Sequence, residues 1–137
     1  MGLKPLHVYL DSCVVIYLVE EHPTFAPVVE ALLAKTPDIV LHISGLTEME
    51  CLVLPLRMQN QPLIDKFRNW FETVVNLSNQ REVFQQASQL RADHKSLKTP
   101  DAIHLATVLH YGCDEFWTND DRLAKIAPQV ARNILTT

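Results

Sequence analysis

Acidic side chains stand where short apolar segments of this sequence end or where helices begin. Asp11 follows the apolar run at residues 6–10, and Asp120 and Asp121 follow residues 116–118. Glu48 and Glu50 open the helix after residues 38–43, and Asp101 lies in the first turn of a helix that starts with Thr-Pro. Carboxylate oxygens are ligands for Mg²⁺ or Mn²⁺ rather than for zinc. The chemistry that this set favours is metal-assisted hydrolysis of a phosphodiester.

Each acid also has an explanation that involves no chemistry. Asp11 is a suitable N-cap for the helix that follows it, and Thr47-x-x-Glu50 matches the capping-box pattern. Asp101 suits the positive end of a helix dipole, and Asp121 is compatible with a solvated turn. For each acid taken singly, the structural and the functional interpretations both stay open.

The acids taken together favour a site. Neighbouring strands lie about 4.8 Å apart, so acids at their ends can meet. Two carboxylates about 4 Å apart repel each other by about 4 kcal/mol at an effective dielectric constant of about 20. Three or four carboxylates that converge at one place would raise one another's pKa values or would need a cation between them. The three glycines, Gly2, Gly45 and Gly112, form none of the usual phosphate-binding loops, which leaves phosphate binding through a metal ion.

Apolar segments alternate with helical patterns along the chain. Strands are predicted at residues 6–10, 38–43, 115–118 and 130–135. Helices are predicted at residues 12–21, 24–35, from 44–47 onward, around 63–71, at 80–94, and from Thr99, as N-cap, to Gly112, as the residue after the helix. This order predicts an α/β fold with a parallel sheet covered on both faces, and chemistry beyond the carboxyl ends of the strands.

Composition sets the class of protein. The chain has 137 residues, 47% of them hydrophobic and 20% charged, which is typical of one globular domain. Its net charge is −4, which excludes a broadly basic nucleic-acid platform. The three cysteines, Cys13, Cys51 and Cys113, form no C-x-x-C pair, which argues against disulfides and a zinc site. We expect no signal peptide and no membrane span, and a cytoplasmic location.

Five segments of the chain together resemble the PIN-domain family, and within it the VapC-type toxins of toxin–antitoxin pairs. The resemblance runs in order over about residues 6–135. Its most specific part is the helix start Thr-Pro-Asp-Ala-x-His-Leu-Ala with a downstream Thr-Asn-Asp. The segments are residues 8–12, 43–51, 90–92, 99–106 and 116–123.

The resemblance implies a fold, an activity and a set of site residues. The fold is a single PIN-like nuclease domain over residues 1–137, with three α/β/α layers and a central parallel sheet. The activity is a Mg²⁺- or Mn²⁺-dependent endoribonuclease. The catalytic and metal-binding acids carried over are Asp11, Glu50, Asp101 and Asp120, with Ser12, Thr118 and Asp121 in support. Glu50 is preferred to Glu48 because the family's acid lies three residues after the threonine, here Thr47. Cys13 departs from the family's Asn or Ser, which affects a hydrogen bond near Asp11.

The resemblance also implies partners, namely an RNA substrate, a cognate antitoxin protein and a second copy of the chain in a homodimer. His104, in the helix of Asp101, is interpreted as a packing or surface residue. Phosphatase-like and receiver-like domains lack support because their paired acids are absent. The alternative from another class is a catalytically quiet PIN-like module that binds RNA or a protein.

Overall fold

The computed structural model describes residues 4–136 and contains five strands and seven helices in that part of the chain. Residues 1–3 and 137, the ends of the predicted 1–137 domain, lie outside the described residues. The strands are β1 (Leu6–Leu10), β2 (Ile39–Ser44), β3 (Val75–Leu77), β4 (Glu115–Thr118) and β5 (Ala131–Asn133). The helices are α1 (Ser12–Val19), α2 (Phe25–Ala34), α3 (Gly45–Arg57), α4 (Gln61–Phe71), α5 (Arg81–Asp93), α6 (Thr99–Tyr111) and α7 (Asp121–Ile126).

The five strands form one parallel sheet in the order β3-β2-β1-β4-β5. β1 lies at the centre, with Tyr9 paired to His42 of β2 on one side and to Phe116 of β4 on the other. The chain therefore leaves β1 toward one edge of the sheet and later returns to its other side. The carboxyl ends of β2, β1 and β4 meet at this switch point, which is where open α/β sheets bind ligands.

Two separate cores cover the two faces of the sheet, because successive side chains of a strand point to opposite faces. Val8 and Leu10 of β1 pack with Phe67 of α4 among the residues of α1–α4, whereas Tyr9 packs with Leu105 of α6 among those of α5–α7. All five of these side chains are buried. The predicted three-layer α/β/α fold with a central parallel sheet is confirmed.

Several element boundaries differ from the sequence-based expectations. α6 begins at Thr99, so the predicted N-cap is wrong by one residue and Lys98 holds that position. The strand predicted at 130–135 contains only Ala131–Asn133. α7 and the three-residue β3 were not predicted, since each is too short to show a periodic pattern. Within residues 4–136, no helix is long and apolar enough to span a bilayer.

Gly112 ends α6 in the left-handed conformation, with a φ of 68°. A residue with a Cβ atom is strained there whatever space surrounds it. We expect Gly112→Ala to lower the free energy of unfolding by about 1 kcal/mol, measured by urea denaturation. The matched control is Gly45→Ala, whose new Cβ would lie 3.5 Å from Asn79 Oδ1, an ordinary contact. Equal stability of the two variants would contradict this account of the helix end.

Candidate functional site

Asp11 stands directly after β1 at the switch point, and its carboxylate is held on both sides. Oδ1 accepts a hydrogen bond of 2.8 Å from the Ser12 backbone N–H, and Oδ2 accepts one of 2.8 Å from the Thr118 hydroxyl. The residue is only 9% exposed. Asp11 is thus the N-cap of α1, as its structural interpretation predicts, and a fixed anionic group as well. Ser12 contributes its amide rather than its hydroxyl.

Thr118 connects the ends of two neighbouring strands. Its hydroxyl donates to Asp11 and also accepts a hydrogen bond of 3.2 Å from the backbone N–H of Asp120. Thr118 is fully buried at the end of β4. A single hydroxyl therefore sets the position of the Asp11 carboxylate relative to the loop that carries Asp120, which fits the supporting role predicted for it.

Glu50 lies in the second turn of α3 and points to the same place. Its Oε1 is 2.5 Å from His104 Nε2. The capping interaction predicted for Thr47 and Glu50 is wrong, because α3 begins one turn earlier than that pattern requires. Thr47 instead caps the helix with Ser44, whose backbone N–H donates to the Thr47 hydroxyl at 3.1 Å. The Glu50 carboxylate is consequently free to reach the site.

His104 is the residue of this cluster that sequence analysis did not place there. It is buried, as a packing residue would be, but its Nε2 lies 3.8 Å from Asp11 Oδ1 as well as beside Glu50. One donor atom each from Asp11, Glu50 and His104 lie within 4.8 Å of one another. The available signal was spacing, because His104 follows Asp101 by three residues and shares its side of the helix.

Asp101, in the first turn of α6, belongs electrostatically to the same cluster. Burial raises the pKa of this carboxyl, and the charges of Asp11 and Asp120 raise it further, against an opposing effect of His104. Repulsion of this kind requires that the carboxylates lie near one another. The structure therefore brings Asp101 into the environment of the other predicted acids.

Asp120 is the only one of the four carried-over acids that an arginine contacts among the described residues. It caps α7 by accepting a 2.8 Å hydrogen bond from the Arg122 backbone N–H, and its Oδ2 lies 3.2 Å from Arg122 Nη2. Burial alone would raise the pKa of Asp120, but the hydrogen bonds and charge of Arg122 outweigh that effect and lower it. Asp120 is thus ionised and already paired at the rim of the cluster.

Two further acids that sequence analysis left open have contacts elsewhere. Asp121 Oδ1 accepts a hydrogen bond of 2.7 Å from Asn133 Nδ2, which ties the start of α7 to β5. Burial and the charge of Glu72 raise the pKa of Glu48, so that side chain interacts with the residue after α4. Of the two glutamates of α3, Glu50 is therefore the one that meets His104 and Asp11.

Cys13, the position that departs from the family pattern, lies close to the cluster. Burial raises the pKa of its thiol, and the nearby charge of Asp11 raises it further. The side chain is thus a neutral thiol in place of the family's stronger hydrogen-bonding group. Asp11 is instead held by Ser12 and Thr118, so this departure leaves its carboxylate anchored.

The donor set fits a hard or borderline divalent cation. Carboxylate oxygens of Asp11, Glu50, Asp101 and Asp120 are ligands for Mg²⁺ and Mn²⁺, and no thiolate accompanies them. Burial raises the pKa of Asp101 and the charges of Asp11 and Asp120 raise it further, so the metal-free protein disfavours the charged form of this carboxyl. A bound dication would favour the charged form, so the residues present fit the group that sequence analysis predicts.

Comparison with known proteins gives a family and a set of similar folds. Residues 8–128 match the model of the PIN domain, and no curated protein matches the sequence. VapBC2 from Rickettsia felis, bound to a promoter DNA fragment, is 14% identical with a TM-score of 0.75, covering 93% of this chain and 98% of that one. A toxin–antitoxin complex from Klebsiella pneumoniae is 23% identical with a TM-score of 0.75, covering 92% and 97%. VapC20 from Mycobacterium tuberculosis, a sarcin–ricin loop cleaving toxin, is 16% identical with a TM-score of 0.73, covering 86% and 93%.

The electrostatics of Asp101 predict how stability depends on pH. Its raised pKa means that the folded protein binds this proton more tightly than the unfolded chain does. The charged carboxylate therefore destabilises the metal-free fold at neutral pH, and this cost disappears as the pH falls below the ordinary pKa of aspartate. We expect Asp101→Asn to raise the melting temperature at pH 7 in the presence of a chelator, measured by circular dichroism.

The increase in melting temperature of Asp101→Asn should become smaller as the pH falls. It should reverse when Mn²⁺ is added, because the wild-type carboxylate then has a counter-charge. Asp121→Asn is the matched control, since it also removes one negative charge but lies outside the cluster. A melting temperature of Asp101→Asn equal to that of the wild type at pH 7 would show that the metal-free fold does not disfavour the charged form of Asp101.

Proposed function

The chain belongs to the PIN-domain family, and from this premise we propose that it is a VapC-type toxin, a metal-dependent endoribonuclease that hydrolyses RNA phosphodiester bonds. The observation that carries the proposal is the convergence of Asp11, Glu50 and His104 within 4.8 Å at the switch point of the sheet. Asp101 adds a carboxyl whose pKa is raised by burial and by its acidic neighbours. The folds that it resembles include that of VapC20, a sarcin–ricin loop cleaving toxin.

The proposed catalytic residues are Asp11, Glu50, Asp101 and Asp120, which would hold Mg²⁺ or Mn²⁺. Such an ion supplies charge stabilisation for the scissile phosphate and lowers the pKa of an attacking water. Thr118 and the Ser12 amide keep the Asp11 carboxylate in one orientation. In the metal-free protein, Glu50 Oε1 contacts His104 Nε2. The chain's own contribution is a cluster of carboxyl groups that hydrogen bonds position before substrate arrives.

Asp120 is positioned differently from the other three acids. Its exposed partner Arg122 is held at the rim of the cluster by the ion pair of 3.2 Å. At this position the Arg122 guanidinium can leave the Asp120 carboxylate and bind a phosphate of the RNA backbone instead, since it binds both groups with the same geometry. Arg122 would then contact the RNA while Asp120 turns to the metal.

The proposed partners follow the complexes that the chain resembles. Two of the similar structures contain an antitoxin with the toxin, and we propose a cognate antitoxin for this chain. We also propose that the protein acts on cytoplasmic RNA and forms a homodimer. Exposed apolar side chains on α3 support an association surface, since patches of this kind commonly mark interfaces. They are Met49, Leu54 and Leu56, and Met58 directly after the helix is exposed as well.

A catalytically quiet module that binds RNA or a protein is the second candidate. The Arg122–Asp120 ion pair favours it, because one of the four acids is already neutralised in the metal-free protein. The two candidates differ in a single measurable property, which is whether the protein cuts RNA when a divalent ion is present.

We expect the purified protein to cleave total RNA in Mg²⁺ or Mn²⁺ and to lose this activity in a chelator. Asp11→Asn and Asp101→Asn should each lower the cleavage rate by about 100-fold or more, because outer partners of a metal already cost about 10- to 100-fold. Asp121→Asn, which has the same change of charge outside the cluster, should cleave at nearly the wild-type rate. The wild type and the three variants are compared by mapping the ends of the RNA fragments that each produces.

Equal cleavage by the wild type and by Asp11→Asn would identify a contaminating nuclease and remove the enzymatic proposal. Absence of cleavage by every protein, with RNA still bound in a gel-shift assay, would support the quiet module instead.

The homodimer has its own test. Light scattering should give a mass of twice the 15.6 kDa chain. Leu54→Ser should shift the protein toward the monomer, because this side chain of α3 is 60% exposed and apolar. Phe84→Ser on α5 is the control, since Phe84 is also exposed but lies on the other helical layer. A monomeric wild type, or a dimer that Phe84→Ser disrupts while Leu54→Ser does not, would contradict the assignment to α3.

A further inference from the structure

His104 places an imidazole nitrogen among the carboxylates of the site. Its side chain is 1% exposed, and Nε2 lies 2.5 Å from Glu50 Oε1 and 3.8 Å from Asp11 Oδ1. The Nε2 atom therefore lies beside the carboxylate oxygens that are proposed to hold the ion. A site with this donor set is no longer made of oxygen atoms alone.

The ring of His104 is fixed from its other side. Nδ1 lies 2.6 Å from the Tyr9 hydroxyl, which in turn lies 2.8 Å from Ser44 Oγ and 3.2 Å from Thr47 Oγ1. All four residues are buried. Rotation of the imidazole would break these contacts in a region that solvent does not reach, so Nε2 stays directed at the carboxylates.

The hydrogen-bonding pattern suits a ligating histidine. If Nε2 binds a metal, Nδ1–H can donate to the Tyr9 oxygen and the Tyr9 hydroxyl can donate to Ser44 or Thr47, so both of these protons have an acceptor. Metal-bound histidines commonly hold their second nitrogen in this way, and the partner orients the ring.

We propose that His104 is a nitrogen ligand of the metal site and that it makes the site prefer Mn²⁺ to Mg²⁺. The inference rests on the proposed metal-dependent function and adds a residue outside the four acids. Imidazole suits transition metals, whereas Mg²⁺ prefers oxygen ligands and retains its waters. A nitrogen donor therefore raises the affinity for Mn²⁺ more than the affinity for Mg²⁺.

The competing account is that His104 only positions Glu50. In that case Nε2–H donates to the Glu50 carboxylate in the loaded protein too, and no nitrogen contacts the ion. Loss of His104 would then weaken the binding of both ions to a similar extent. The two accounts differ in whether a histidine nitrogen couples to the metal and in whether the ion preference changes.

Electron paramagnetic resonance of Mn²⁺ bound to the full-length wild-type protein measures the first difference. Pulsed spectra should show coupling to a ¹⁴N nucleus that changes to ¹⁵N when only the histidines are ¹⁵N-labelled. Among residues 4–136, His104 is the one histidine that shares a possible metal site with acidic side chains. This measurement needs no variant, so it does not depend on whether a substitution at a buried position folds.

Calorimetry measures the second difference. His104→Asn retains a polar atom near the Nδ1 position for Tyr9 but is too short to replace Nε2. We expect it to weaken Mn²⁺ binding by about 10-fold or more and Mg²⁺ binding by less than about 3-fold. Tyr9→Phe, the control, removes the hydroxyl but keeps Nε2, so its Mn²⁺ spectrum should retain the nitrogen coupling.

Mn²⁺ that binds without nitrogen coupling, or an equal loss of Mn²⁺ and Mg²⁺ affinity in His104→Asn, would overturn this inference and leave the nuclease proposal in place. A wild-type protein that binds neither ion would overturn the proposed function itself.

Discussion

Mutual repulsion among carboxylates at the carboxyl end of a parallel sheet is the constraint on which the rest of this structure depends. The strand order places β1 between β2 and β4, and this topology forces Asp11 toward the loop that carries Asp120. Burial raises the pKa of Asp101, and the charges of Asp11 and Asp120 raise it further. The fold tolerates this concentration of charge because hydrogen-bond donors surround it, namely the Ser12 amide and the Thr118 hydroxyl. Their arrangement is rigid because they belong to strand ends and helix starts.

The polar network beneath the acids explains why the pocket keeps its shape without an ion. Tyr9 is part of the apolar core on the α5–α7 face, yet its hydroxyl bonds to Ser44, Thr47 and His104. A buried polar group without a partner costs about 1–3 kcal/mol, so each member is held by the others. The network joins β1, β2, α3 and α6. Asp11 directly follows β1, whereas Glu50 lies in α3 and Asp101 in α6. Packing and site geometry are thus consequences of the same contacts.

Sequence analysis predicted the parts of the fold and site that depend on local patterns. The apolar run before Asp11 and the Gly112 helix end are set by neighbours in the chain, and the structure has both. The inward position of His104 could not be predicted, because it depends on Tyr9 and Glu50, which are 95 and 54 residues away. The contact of Asp120 with Arg122 was missed for another reason. Adjacent charges in a sequence are common, and only the start of α7 brings these two side chains together.

The Arg122–Asp120 pair decides how the metal-free state relates to the proposed activity. Both side chains are partly or largely exposed, so water and salt screen their attraction and the pair contributes little to stability. In the proposed metal-bound state, a divalent ion would carry twice the charge of the guanidinium and would face several carboxylates at once. Such an ion would compete with Arg122 for Asp120. The ion pair therefore favours the quiet module only where no dication binds.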